Sequence, residues 1–318
     1  MQEASSSHSS SLRTHIKRAM SAAMALSLAV GASACFAQAQ LSAQFFGVTT
    51  VSVSDGEHTV MTDGFFSRPD YLRLLLGVAP NEGRIDRALA AGKVTSLDAL
   101  LVAHSHHDHA MDAGVVAKKT GAMVFGTRSV ANIAIGSGLP ASRTKTVAGG
   151  ETIELGKFRV QVISSPHSPK PVAKGEITSP LRTPSGILEY KEGGNFSYLI
   201  EHPQGNVLVH ASANYRPGMY AGMRADVVFL GIGLLGKQSD AFVKEYWKEV
   251  VQATGAKIVV PVHWDDFTVS LDKPLMPAGR LFDKVKEALA AVGELAAADG
   301  VEVRLLSQFQ SVQMPAPR

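Results

Sequence analysis

The residues best able to do chemistry crowd into "LLVAHSHHDHAMDAGVVAKK", residues 101–120. Four of the chain's 11 histidines fall within His104–His109, in the order His-Ser-His-His-Asp-His. Neutral imidazole and carboxylate are ligands that suit zinc or iron. His104 and His106 are two apart, so on extended backbone they face the same way. Asp108 and His109 fall where a helix starts. Two imidazoles can thus serve one divalent ion while a carboxylate and a third imidazole serve its neighbour. Two more histidines stand where strands end, His167 in "VISSPHS" and His263 in "VVPVHWDD". Strand ends on one edge of a sheet converge, so residues distant in sequence can meet there. A Lewis-acid ion lowers the pKa of bound water from about 15.7 toward about 7, and the resulting hydroxide attacks a carbonyl or phosphoryl centre.

The elements that must position these residues follow from the pattern. A period-two, β-branched run begins near residue 46, and "VTTVSVS" and "HTVMTD" flank Asp55-Gly56 as a hairpin. "RIDRALAAG" reads as a helix, "LDALLVAH" as a buried strand, and "AMDAGVVAKKTG" as a helix stopped by Gly121. "AMVFG" is a strand and "SVANIAIGSG" a helix. "KTVAGGETIELGKFRVQVISSPH" is a hairpin whose strand runs into His167. Residues 168–193, rich in Pro, Gly and Lys, form a long loop, and loops of that length are usually functional or disordered. "NFSYLIEHPQGNVLVHAS", "ADVVFLGIG" and "KIVVPVHWDDF" supply further strands. "SDAFVKEYWKEVVQATG" and "AGRLFDKVKEALAAVGELAAADG" supply helices, and "VEVRLLS" a last strand. Strands and helices alternate in two halves, as expected of two sheets packed face to face with helices outside.

The first forty residues differ from the rest. A Ser-rich segment ends in Arg13, Lys17 and Arg18, and an uncharged run of small apolar residues leads to Ala37-Gln38-Ala39. This is the pattern of a secretory signal peptide over residues 1–39, cleaved near Ala39. A periplasmic or secreted protein is expected, with no stable membrane span after cleavage. The lipoprotein reading through Cys35 is secondary, because Ala32 stands where a large aliphatic is wanted. Cys35 is the only cysteine, so after cleavage any metal site must use His and carboxylates. Cleavage also removes three Lys/Arg and one Glu, bringing the net charge from +3 to +1. That field is too weak to argue for nucleic acid.

With these residues in view, the chain resembles the metallo-β-lactamase superfamily. His104-x-His106-x-Asp108-His109 matches its signature, and His167 and His263 follow in the family's order. The resemblance covers roughly residues 45–310 and implies an α/β fold, a four-layer αββα sandwich, with residues 40–318 as a single metallo-hydrolase domain. By likeness, His104, His106 and His167 form a first metal site, and Asp108, His109 and His263 a second. Asp63 matches the strand-end Asp that braces the metal loop. The family's bridging Asp is replaced here by Ser212, a poor ligand, with His210 and Asn214 nearby as substitutes. Asp108 would orient the hydroxide. Tyr215 would donate to a carbonyl oxygen, as in lactonase-like relatives, or simply pack.

The implied cofactor is zinc, one or two ions, with iron or manganese as alternatives. The implied function is an exported metal-dependent hydrolase using a metal-bound hydroxide on a small-molecule ester, lactone or phosphoester. The alternative is a catalytically degenerate metal- or ligand-binding exported protein of the same fold. Loop 168–193 is expected either to cover the site and attract an anionic substrate through Lys170, Lys174 and Arg182, or to be merely solvated. His58, His107 and His202 read as surface or structural residues, His210 as a satisfied, partly buried one, and Asp265 and Asp266 as solvated or capping residues.

Overall fold

The computed structural model describes residues 40–315. The expected leader, its cleavage point and Cys35 therefore lie outside the described residues. The chain opens with β1 (Ser42–Gly47), β2 (Thr50–Ser54) and β3 (Thr59–Thr62), then α1 (Tyr71–Leu76) and α2 (Glu82–Ala91). Next come β4 (Ala99–Leu101), the one-turn α3 (His107–Ala110), α4 (Ala113–Thr120), β5 (Met123–Gly126), α5 (Arg128–Gly136) and β6 (Thr144–Thr146). The second half runs β7 (Thr152–Leu155), β8 (Phe158–Ser164), β9 (Phe196–Glu201), β10 (Val207–His210), β11 (Val227–Gly231), α6 (Asp240–Trp247), β12 (Ile258–Val262), α7 (Val285–Asp299), β13 (Glu302–Val303) and β14 (Ser311–Gln313).

The strands form two seven-stranded sheets, ordered β14-β1-β2-β3-β4-β5-β6 and β13-β12-β11-β10-β9-β8-β7. In each, an antiparallel meander gives way to parallel strands: β3, β4, β5 and β6 in one, β10, β11, β12 and β13 in the other. Period-two alternation sorts the side chains. Ala99 and Leu101 face the layer between the sheets, with Val51, Val53, Phe158, Tyr198, Val209 and Phe229. Leu100 points the other way, onto Ile85, Val116, Val130 and Ile133 of the helices. Leu208, Val228 and Val259 likewise meet Val243, Trp247 and Val292 outside the second sheet. The result is helix, sheet, sheet, helix, the four-layer αββα arrangement expected. No helix among the described residues is long and apolar enough to cross a membrane.

Several expectations need correction. The last helix begins at Val285 rather than Ala278, because 278–284 serves as connection. Ala278 N–H donates to Trp264 O at 2.9 Å, and the Asp283 carboxylate accepts from Leu234 N–H at 2.8 Å. The final strand pairs only at Glu302–Val303, while β14 closes the other sheet against β1. β1 and β2 are separate strands, broken at Gly47 and Val48, both at positive φ. Asp265 is not solvated: it is buried against Arg68, whose guanidinium donates to it, and it accepts from Val48 N–H at 2.9 Å. Asp266 does cap, accepting from Thr268 N–H at 2.9 Å.

Candidate metal centre

Each donor is placed by a strand that has just ended. β4 stops at Leu101, and the following backbone is captured at once. Ala103 N–H donates to Asp63 Oδ1 at 2.7 Å, and Ser105 N–H donates to Glu192 O at 3.0 Å. His106 stays extended at φ −63°, ψ 154°, and its carbonyl accepts from Ala110 N–H to start α3. His104 and His106 therefore point the same way, with ring centroids 4.7 Å apart. α3 then presents Asp108 and His109 toward His263. His167 follows β8, its ring 4.7 Å from His104 and 4.8 Å from His106. His263 follows β12 at φ 60°, held by its N–H donating to Val48 O at 2.7 Å. An ordinary residue with positive φ is uncommon, and such conformations cluster at functional sites.

Two donor groups result, His104–His106–His167 and Asp108–His109–His263, the ligand atoms within each lying no more than 4.8 Å from one another. Ligands about 2.0–2.2 Å from one ion cannot be more than about 4.4 Å apart, so both groups are near coordination spacing. The groups adjoin, since the His104 and His109 rings are 3.9 Å apart.

Hydrogen bonds fix which nitrogens are free. Asp63 Oδ2 only accepts, so His109 Nδ1, 2.8 Å away, carries the hydrogen and Nε2 is left for a ligand. Thr49 hydroxyl donates to the same oxygen. His167 Nδ1 donates to Ser168 O at 3.0 Å, which frees its Nε2. A buried imidazole held this way by a carboxylate or carbonyl is the usual second layer of a metal site. His104 Nε2 lies 3.0 Å from His106 Nδ1, and His104 Nδ1 is buried without a partner. His106 Nε2 lies 3.4 Å from Ala173 O, which can take its hydrogen and leaves Nδ1 as a lone pair facing His104 Nε2, where one cation can be held by both rings.

Protonation suits the same occupant. Burial holds His104 well below the ordinary histidine range and lowers His106, and it brings His167 down to about 4. Burial opposes charge on Asp108, but His109, the hydrogen bond with His263 and the other imidazoles outweigh it and hold the carboxyl well below its usual value. Burial likewise opposes charge on His263, yet the Asp108 hydrogen bond and charge raise it. The first group is thus neutral imidazole, and the second carries one carboxylate. The donor set fits divalent metal.

The Asp63 brace yields an expected result. Asp63→Asn must turn an N–H toward one of the donors that Asp63 now accepts, His109 and Thr49 on one oxygen or Ala103 on the other. Metal affinity should fall about 10–100-fold, as for other outer partners of metal-bound histidine. Competition with a chromophoric chelator measures it, and unchanged affinity would remove Asp63 from the site.

The donors form the floor of a cavity of about 460 Å³. Loop 168–193 supplies one wall, from Ser168 to Ala173 and at Ile187 and Leu188. It is tied down rather than merely solvated: Ile177 N–H donates to Ser129 Oγ, Leu181 N–H to Asn132 O, and residues 78 and 185 form an isolated bridge. Lys170 lines the cavity, while Lys174 and Arg182 lie outside its lining.

Ser212 lines the floor, where the bridging carboxylate was expected. Neither proposed substitute replaces it. His210 is fully buried, with Nδ1 2.6 Å from Tyr220 OH and Nε2 2.8 Å from Asn214 O. Asn214 Nδ2 donates to His167 O at 2.7 Å. Tyr215 is not brought to the cavity: its ring packs against Phe242, centroids 5.3 Å apart, so the carbonyl-donor role is not supported by its position. His107, read as surface or structural, packs edge-on to Phe65, Tyr190 and Phe267 and also lines the cavity. His58 lies 3.1 Å from Asp98, and His202 is buried beside Asp55.

Burial takes His210 down to about 4. Its folded pKa is below the unfolded value near 6.5, so it favours folding above pH 6.5, and that stability is lost as pH falls toward 4. The contribution is about 3 kcal/mol. Urea melts of His210→Gln should show a shallower loss of stability between pH 6.5 and 4 than the parent, by about one proton. Parallel profiles would refute this.

The back-to-back sheets and the paired donors at one rim define the class, the metallo-hydrolase sandwich. The chain belongs to the metallo-β-lactamase superfamily: residues 42–263 match the family described as beta-lactamase superfamily domain. A Myxococcus xanthus protein named as a metal-dependent hydrolase is 26% identical over 201 residues, 60% of this chain and 64% of that one, so the match spans just under two thirds of the relative. A Listeria innocua protein also named as a metal-dependent hydrolase is 22% identical over 270 residues, 81% of this chain and 98% of its own. Igni18, a metallo hydrolase from Ignicoccus hospitalis, shares the fold at 14% identity, with a TM-score of 0.55 over 87% of this chain and 100% of that one.

Proposed function

We propose that this chain is an exported metal-dependent hydrolase that cleaves a small ester, lactone or phosphoester. The observation that carries the reading is the pair of adjoining donor groups on the floor of one cavity. His104, His106 and His167 would hold one ion, and Asp108, His109 and His263 another. Zinc suits this imidazole-rich set, and iron or manganese are the alternatives. A divalent ion bound there supplies Lewis-acid activation of water and of the scissile oxygen. Asp108, the one carboxylate among the donors, is held ionised and can accept the hydrogen of an attacking water. Ser212 adds no charge to the floor, so the second ion is expected to bind more weakly than the first.

Removal of metal tests the reading. Protein stripped by a chelator should lose at least about a hundredfold in rate toward aryl esters or bis-aryl phosphates. Adding back zinc, iron(II) or manganese(II) should restore it, and the ion that does so is the cofactor. A fully metallated protein inert to the whole substrate panel would support the alternative of an exported binding protein. Export rests on residues 1–39 and is tested by cell fractionation: the protein should be found in the periplasm or medium, starting near residue 40. Protein retained in the cytosol with Met1 would refute it.

A further inference from the structure

The floor of the cavity is polar, but its walls are not. Leu74, Val172, Ile187, Leu188, Phe267 and Phe282 line it above the histidines. Three of these are also open to water: Val172 is 83% exposed, Leu188 56% and Phe282 62%. The apolar surface continues past the mouth. Tyr71 stacks on Phe282 with ring centroids 6.2 Å apart, and α1, none of whose residues is buried, adds Leu72, Leu75 and Leu76. Exposed large apolar side chains gathered beside a cavity mouth are the kind of surface that ligands use. Charge is sparse on the same walls. Among the described residues Lys170 is the one lysine or arginine in the lining, Asp265 is engaged by Arg68, and Asp283 accepts from Leu234 and Lys284 N–H groups.

We infer that the substrate carries an aliphatic or arylalkyl chain of several carbons beside its scissile bond. This rests on the hydrolase reading and narrows its substrate class. The polar group sits at the donors, and the chain runs outward over Leu188, Val172 and Phe282. The same side chains that line the cavity are the exposed ones, so a chain leaving the floor covers them directly. Burying each methylene on such a wall strengthens binding, whereas a compact polar substrate leaves the wall wet.

The test is calorimetric titration of the metal-loaded protein with straight-chain alkylphosphonates from ethyl to octyl, all below their aggregation concentrations. Affinity should rise about threefold with each added methylene. A Leu188→Ser, Phe282→Ser double variant should lose most of the dependence on chain length, with octylphosphonate weakened far more than ethylphosphonate. Both positions are exposed, and the series on the parent protein needs no variant. An affinity independent of chain length overturns the inference. Turnover of 4-nitrophenyl acetate and octanoate with equal kcat/KM also overturns it while leaving hydrolysis standing. Chain-dependent binding without turnover of any ester, lactone or phosphoester in the panel upholds the apolar wall and overturns hydrolysis instead. A flat series together with Leu188- and Phe282-dependent binding to phosphatidylcholine vesicles assigns the rim to a membrane surface and overturns the inference.

Discussion

Asp108→Asn should lower kcat/KM by at least about a thousandfold while the protein stays folded. The exchange keeps the size of the side chain and removes its charge. Asp108 Oδ2 lies 3.3 Å from His263 Nε2 and 3.7 Å from His109 Nε2, so the carboxylate is the only anion within that donor group. Under the proposed mechanism, its loss would take away the charge that would hold a second cation and the acceptor that would orient water. Charge stabilisation of this kind is worth several kcal/mol, and about 1.4 kcal/mol is tenfold in rate. Metal content should fall toward one equivalent, because His104, His106 and His167 are untouched. The checks are elemental analysis, steady-state kinetics and a thermal melt. A rate within tenfold of the parent would show that Asp108 takes no part in the chemistry.

Asp265→Ala should cost about 3–5 kcal/mol of stability, the usual result of leaving one partner of a buried ion pair alone. Arg68 and Asp265 side chains are both 0% exposed. The carboxylate also accepts from Val48 N–H, and Val48 O accepts from the backbone N–H of His263. Without it, a guanidinium is stranded in the interior and the turn carrying His263 loses its support. At about 2–4 °C per kcal/mol for a domain of this size, the melting temperature should drop by about 10 °C. Arg68→Met with Asp265→Leu should recover part of that loss, because two apolar groups leave no charge uncompensated. A single variant melting within a degree or two of the parent would refute the argument.

Much of the fold was legible because burial writes itself in period two and period 3.6. "LDALLVAH" and "ADVVFLGIG" read as interior strands, and Gly121 stops α4 in the left-handed conformation its lack of a Cβ allows. The donors were legible for a different reason: imidazoles are rare, and four within six positions need a cause. Partners set by long-range contact were not legible. Arg68 and Asp265 lie 197 residues apart, and nothing local to either announces the pair. The start of α7 was missed because "AGRLFDK" has helical composition, yet Asp283 is spent on capturing Leu234. For Tyr215 the sequence offered a carbonyl donor or a packing residue, and its ring packs on Phe242. The apolar rim was invisible for a related reason, since composition does not distinguish a leucine in the core from one at a cavity mouth.

Both sheets finish in short strands. One ends in β14 and β6, of three residues each, and the other in β13 and β7, of two and four. A neighbouring chain can dock onto a sheet only through a row of unpaired amides and carbonyls, and rows this brief offer little purchase. The fourteen strands of the described residues are thereby shielded from fibril-like growth at their margins, which leaves stickiness to the leucine-rich lip of the cavity.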